Sequence, residues 1–312
     1  MNRRHAAASL LAVAAGGAND PTKPSRVRLM LGGDVMLARR VGLAARTRND
    51  PCWPFRGVAK QLSAADLAFA NLESPFADTP PYFEERMVFR AHPEMVEGLK
   101  LAGIDVVSTA NNHARDAGAR GIEFTLEWLA KNGIAAVGTA LDPAHTRNGI
   151  VMERGGISFG FLAYTFDQRN GNHKQDDPRI AMMDPASVAG DIEGLRRRAN
   201  VVIVSMHAGG EYQKRQHPSQ VRFARAAVDA GAAVVAGHHP HVIQPVERYR
   251  GGVIFYSLGN LVFDQSVPPG VQQGVVAEVV FLNGRLDQVA LLEVEITDGA
   301  PQFREGQGKK PG

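Results

Sequence analysis

The chain has 312 residues, of which 44% are apolar and 21% charged, close to the average soluble globular composition, so a disordered or fibrous protein is excluded. Its 35 Lys and Arg against 32 Asp and Glu leave a net charge of +3, too weak a balance to argue for nucleic acid as a partner. One cysteine, Cys52, excludes an internal disulfide and any thiolate metal site, and no apolar run reaches the ~18 residues of a membrane-spanning helix.

In chain order, Asn2-Arg3-Arg4-His5 and the small apolar stretch 6–18 have the layout of a short secretory signal. An Ala/Gly-rich disordered start fits the same residues, so export to the periplasm or cell surface and a cytoplasmic location both stay open. Residues 1–25 and the polar, Gly/Lys-rich 303–312 are expected to be disordered and to flank one domain over 26–302. Strands are predicted over 27–35, 67–72, 104–109, 201–206, 232–236 and 252–258, where β-branched residues run between Gly, Asn or His. Helices are predicted over 93–102, 123–132 and 218–230, each stopped by a glycine, with Pro at the start of the first and last. Helix, glycine, apolar strand is the crossover pattern of an α/β fold. The runs after Gly156 and Gly274 read as antiparallel strands, so a layered α/β protein with a mixed sheet, or two packed sheets, is expected.

Polar residues cluster where these strands stop. Asp34 closes the first and Glu73 follows the second. Asn111-Asn112-His113, with Asp116 beyond, follows the third. His207 ends the fourth, and His238-His239-Pro240-His241 follows the fifth. Taken singly, each reads as a turn, a cap or a hydrogen-bonded histidine. Parallel strands would gather them at the carboxyl edge of a sheet, where α/β proteins bind ligands. In an extended segment His239 and His241 would point the same way and face one ion. Carboxylate, amide oxygen and imidazole without thiolate suit one or two divalent ions such as Mn, Fe or Zn, and Asp34 or Glu73 could bridge a pair. His113, next to Asn112, is the candidate acid for a leaving group, with Asp116 orienting its ring. Arg90 is a candidate clamp for a phosphate or carboxylate, or else an ordinary surface arginine.

The motifs GGDVML (32–37), ANLESP (70–75), FRAHPE (89–94), STANNHARDAG (108–118), MHAGGEY (206–212), GHHPHVIQPVE (237–247) and YSLGNLVFDQ (256–265) resemble those of the CapA-type proteins of poly-γ-glutamate capsule biosynthesis. That family is related in fold to calcineurin-like metallophosphoesterases. The resemblance, over roughly 27–265, implies a four-layer αββα sandwich of mixed sheets. It implies metal ligands at Asp34, Glu73, Asn112, His207, His239 and His241, Glu73 being the bridging acid. It puts His113 at the catalytic histidine and makes His238 an extra residue, not a ligand. Two departures stand out. Met36 replaces the histidine of the Asp-x-His pattern, and Ala208 replaces a tryptophan. A thioether is a poor donor to such ions, so the first site loses a ligand. The resemblance implies a capsule-biosynthesis protein hydrolysing phosphoester or related polymer bonds. The alternative is a non-catalytic protein that binds or assembles the capsule polymer and keeps the metal site. The implied partners are an anionic polymer or phosphoester substrate and other capsule-synthesis proteins.

Overall fold

A computed structural model describes residues 24–82, 87–168 and 176–309; the signal-like segment lies outside the described residues. The chain opens with β1 (Arg26–Val35), α1 (Arg39–Thr47), the one-turn α2 (Ala59–Leu62) and β2 (Leu67–Leu72). It continues through α3 (Val96–Leu101), β3 (Val106–Ser108), α4 (Gly118–Lys131) and β4 (Ala135–Val137). Next come β5 (Ile150–Arg154), β6 (Ile157–Thr165), α5 (Val188–Arg196), β7 (Val201–His207), α6 (Pro218–Asp229) and β8 (Val234–His238). The last elements are β9 (Val246–Tyr249), β10 (Gly252–Phe255), β11 (Asn260–Val262), β12 (Gln273–Leu282), β13 (Arg285–Thr297) and β14 (Ala300–Lys309).

The strands form two mixed sheets. The first runs β14-β13-β12-β1-β2-β3-β4, with β11 added to β1, and the second runs β5-β6-β7-β8-β10-β9. β1 to β4 pair in parallel, as do β6, β7, β8 and β10, while β12 to β14 are antiparallel. Alternation along each strand divides the apolar residues between layers. Val27, Leu29 and Leu31 of β1 and Leu67 and Phe69 of β2 face the second sheet, meeting Phe161, Val201 and Ile203. Phe69 stacks on Phe161 across that interface with ring centroids 6.0 Å apart. Met30, Ala68 and Ala70 point outward under Leu99 and Leu129 of α3 and α4, and Val202 and Val204 point outward under Ile192 and Phe223 of α5 and α6. Both faces of each sheet are covered, which is why the strands read as continuous apolar runs. The expected four-layer order of helix, sheet, sheet and helix is present.

Local signals explain the helix ends. The His217 side chain accepts from Ser219 N–H while Gln220 reaches back to His217 N–H, a capping box with Pro218 at the first helical position of α6. Three differences from expectation have physical causes. α4 begins at Gly118, not 123, because Ile122 is buried and Arg120 reaches Glu127 at 3.1 Å, so the glycines there do not break the helix. The helix expected over 93–102 starts as a 3-10 turn at Pro93–Met95 before α3. The polar tail expected to be disordered from 303 continues β14 to Lys309, because β13 offers it backbone partners on both sides of a register shift, Val294 pairing with Phe303 and Leu291 with Lys309. Among the described residues no helix is long and apolar enough to cross a membrane.

Candidate metal centre

The carboxyl ends of β1, β2, β3, β7 and β8 meet at one edge where the two sheets adjoin. The backbone approach there is close. A Cβ on Gly33 would lie 2.0 Å from the Gly259 carbonyl, so glycine is required for Asp34 N–H to bond that carbonyl at 3.0 Å. Glu73 N–H bonds Val35 O at 2.8 Å, which sets its side chain beside that of Asp34.

Glu73 is the centre of the site. It is fully buried, and neither carboxylate oxygen has a hydrogen-bond partner among the described residues. Its Oε1 lies 3.8 Å from His241 Nε2 and 3.9 Å from both His113 Nε2 and His207 Nε2. Those separations are too long for hydrogen bonds but suit donors that share an ion at ~2.0–2.2 Å from each. Two donor groups share Glu73: Asp34 with His241, and His207 with His239, the ligand atoms of each group lying within 4.8 Å of one another. Asn112 joins the second group, its Oδ1 2.9 Å from His207 Nε2. His239 Nδ1 is also buried without a partner. A carboxylate shared between two mixed oxygen and nitrogen sets fits a divalent pair, and an orphaned buried carboxylate is what such a pair would neutralise.

Electrostatics agree with that fit. Burial, then the charges of Asp34, Glu211 and Asp116, hold the Glu73 carboxyl well above its ordinary range, with only Arg39 opposing. Burial is the largest influence on the Asp34 carboxylate and opposes it, but the close imidazoles of His238 and His241, 3.5 and 3.4 Å from its oxygens, together outweigh it and hold Asp34 well below the usual range. Burial, aided by repulsion among neighbouring imidazoles, keeps His207 well below its ordinary value and pushes His239 down to about 3. Both rings are therefore neutral at physiological pH, the form that binds a metal.

His113 is set by three contacts. Its Nδ1 lies 2.7 Å from Asp116 Oδ2, and that same oxygen accepts Phe89 N–H at 2.6 Å. The Phe89 ring stacks on the imidazole at 3.7 Å. Burial outweighs Asp116 and lowers the His113 pKa.

The structure gathers Asp34, Glu73, Asn112, His113, Asp116, His207, His239 and His241, and treats the other singled-out residues differently. Arg90 donates to the Thr79 carbonyl at 3.0 Å and has no hydrogen bond to the cluster among the described residues. In the FRAHPE motif it is the neighbouring Phe89 that reaches the site. Met36 is fully buried, its sulfur accepting Ala38 N–H at 3.1 Å within the outer apolar core, so it is not a donor to the centre. His239 and His241 do not face one ion. Both have left-handed backbone, φ 94 and 58, and this sends the rings to different donor groups. His238 is absent from both groups, yet it is fully buried with Nδ1 3.5 Å from Asp34 Oδ1, so it supports a ligand.

Sequence reading missed the asparagines around the ligands. Asn71 Nδ2 donates to Asp34 Oδ1 at 2.8 Å and lies 3.3 Å from His207 Nδ1. Asn111 holds Asn71 and the His113 backbone, and Asn260 Oδ1 lies 3.0 Å from His241 Nδ1. The available signal was an Asn at three strand ends, each beside a predicted ligand or in a shared motif. Arg39 also went unread; it ion-pairs with Asp264 and its guanidinium lies 4.5 Å over the Phe89 ring.

The chain is similar to known proteins over the region that holds the centre. The profile of the family described as "Bacterial capsule synthesis protein PGA_cap" matches residues 28–265, which hold every residue of the centre. The chain is 33% identical over 237 residues to the PGA biosynthesis protein CapA of Bacillus subtilis (strain 168), covering 75% of this chain and 62% of that protein. It is 31% identical over 289 residues to the capsule biosynthesis protein CapA of Bacillus anthracis, covering 89% and 69% respectively. A probable polyglutamine synthesis accessory protein of Mycobacterium tuberculosis (strain ATCC 25618 / H37Rv) is 29% identical over 286 residues, covering 77% and 75%. The chain thus spans somewhat less than two thirds of the Bacillus subtilis relative. Among solved structures, TT1561 of Thermus thermophilus aligns with a TM-score of 0.46 at 9% identity, over 80% of this chain and 93% of that one.

Proposed function

The chain belongs to the bacterial capsule synthesis protein PGA_cap family, and from that premise we propose that its strand-end cluster is a divalent-metal centre that hydrolyses a phosphoester or a related bond of an anionic capsule polymer. The observation that carries this reading is Glu73, a buried carboxylate with no hydrogen-bond partner among the described residues, ringed by three imidazole Nε2 atoms at 3.8–3.9 Å. Asp34, Glu73 and His241 would hold one ion, and Glu73, Asn112, His207 and His239 the other. Mn, Fe and Zn all match the donors. Bound there, such ions supply Lewis acidity toward an oxyanion and acidify water toward pKa ~7.

The chain's own groups then divide the work. Asn71, Asn260 and His238 fix the orientation of the ligands they touch. Asp116 accepts the Nδ1–H of His113, which leaves Nε2, on the Glu73 side, as the atom that exchanges a proton with the leaving oxygen. Phe89 keeps that ring from rotating by stacking on it and by bonding the oxygen that orients it. The relatives named for PGA and capsule biosynthesis support a capsule polymer as substrate and capsule-synthesis proteins as partners.

Purified protein with added Mn and bis(p-nitrophenyl) phosphate tests the reading. Turnover is expected, falling by about 10²–10⁴-fold in His113→Ala while the Mn content stays at the wild-type level. Activity indistinguishable from blank in the wild type removes the hydrolytic part. A second reading, polymer binding without hydrolysis, is favoured by Met36, which takes a donor from the Asp34 side of the centre. Polymer binding that is abolished by chelation, with no turnover, supports it.

A further inference from the structure

We propose that Arg39 is the residue that receives the anionic group of the substrate at this centre, as an oxyanion clamp for a phosphate or carboxylate. The inference rests on the metal-centre reading and adds the chemistry of what binds beside it. Arg39 lies between the two aromatic rings that touch the site. Its guanidinium is 4.5 Å from the Phe89 centroid and 5.7 Å from that of Phe263. Phe89 stacks on His113 at 3.7 Å, and Phe263 packs on His241 at 4.7 Å. The cation is therefore one ring's thickness from the proton-transfer histidine and from a proposed ligand histidine.

Its bonding is incomplete. Nη2 pairs with Asp264, Nη1 donates to Met87 Sδ at 3.8 Å, a weak acceptor, and Nε is buried with no hydrogen-bond partner among the described residues. Asp264 is not reserved for Arg39, because its other oxygen accepts Arg40 N–H at 3.1 Å and lies 3.6 Å from Arg40 Nε. One carboxylate thus serves two guanidinium groups. Of the two side chains, Arg40 is 64% exposed and Arg39 only 12%, so the desolvated one holds the unused donors. A planar fork with free N–H groups is suited to bidentate recognition of an oxyanion. The backbone of Arg39 is left-handed, φ 45, as are Tyr212, His239 and His241 around the same centre. Strain in non-glycine residues is held where the surrounding structure demands one side-chain direction. Arg90, the cation that sequence alone suggests for this role, donates to the Thr79 carbonyl and has a buried Nε as well, but it is Arg39 that lies over the Phe89 ring beside His113.

The test is calorimetric titration of inorganic phosphate and of glutarate into Mn-loaded wild type, Arg39→Gln and Arg39→Lys, with bound Mn measured by mass spectrometry on each. Loss of the fork is expected to weaken anion binding about tenfold in Arg39→Gln and less in Arg39→Lys, with Mn content unchanged. Should Arg39→Gln fail to fold, Arg39→Lys carries the test, with weakening of a few fold expected. Binding of phosphate alone or glutarate alone, lost in the variants, supports the clamp and identifies the phosphoester or the carboxylate polymer as its source. Equal affinities in wild type and both variants with Mn intact overturn the clamp and leave the metal centre standing. A wild type that takes up no Mn overturns both.

Discussion

Replacing Glu73 with Gln should invert the stability order of wild type and variant according to whether metal is present. In chelator the wild type buries a carboxylate with no partner, and its pKa is raised by burial and by Asp34. A raised folded-state pKa means that the contribution of Glu73 is fully present below the unfolded value and is lost as pH rises through the folded one. At pH 8 the group is therefore a penalty. An uncompensated buried charge costs about 3–5 kcal/mol, and a buried amide short of partners about 1–3, so Glu73→Gln should gain about 2 kcal/mol. At ~2–4 °C per kcal/mol that raises the melting temperature by about 4–8 °C, the lower end suiting a chain of this size. Mn at 100 times its dissociation constant adds about 2.7 kcal/mol to the wild type and should add almost nothing to the variant, which has lost the shared ligand. Scanning calorimetry at pH 8 in EDTA and then in Mn reads both effects, and repeating the EDTA scan near pH 4.5 should close the gap. A variant that melts below wild type in EDTA at pH 8, or that responds to Mn as fully as wild type, would falsify the reasoning.

Other consequences are equally direct. Asp116→Asn should lower turnover by at least about tenfold with Mn content retained, since the amide no longer fixes the imidazole tautomer; a parallel loss of Mn would contradict the separation of roles. Phe89→Leu should destabilise by about 1–3 kcal/mol through lost packing and should reduce kcat more than metal affinity, seen by comparing denaturation with Mn titration. Gly237→Ala would put a Cβ 2.0 Å from the Tyr256 carbonyl, and the strained β8–β10 pairing should lose about 2 kcal/mol or more; a melting temperature within about 1 °C of wild type would show that the backbones separate freely. Because Glu73 binds as the carboxylate and its carboxyl is held well above the ordinary range, Mn affinity should rise with pH until that group is ionised, while His207 and His239, already neutral, add no dependence near pH 7; an affinity that follows a histidine titration instead would contradict this.

Much of this was legible from residues alone, for identifiable reasons. Parallel strands buried on both faces announce themselves as apolar runs, so β1, β2, β7 and β8 are legible, and the polar residues that end the runs are the ones the structure gathers into the donor groups. Short elements were missed. β4 and β11 have three residues each, and only their neighbours make them strands. β14 is polar yet ordered by pairing with β13, a tertiary cause with no local signature. Phe89 and Arg39 escaped notice for a similar reason: a ring in one motif and a guanidinium in another become site residues only when chain segments 50 positions apart stack. The opposite orientations of His239 and His241 depend on left-handed backbone that spacing alone does not reveal.

The provenance of the ligands has a last consequence. Asp34, Glu73 and Asn112 come from strands of one sheet, and His207, His239 and His241 from the other. The proposed pair of cations, joined through Glu73, would rivet the seam between the two halves of the sandwich at its polar rim, where the hydrophobic filling runs out. Withdrawing the ions should let that rim gape while the opposite rim stays shut. Amide exchange would quicken at residues 34–36, 71–73 and 206–208 and stay slow at the amino ends of the same strands. Neither half expressed alone would own a centre, because each carries only part of the grip.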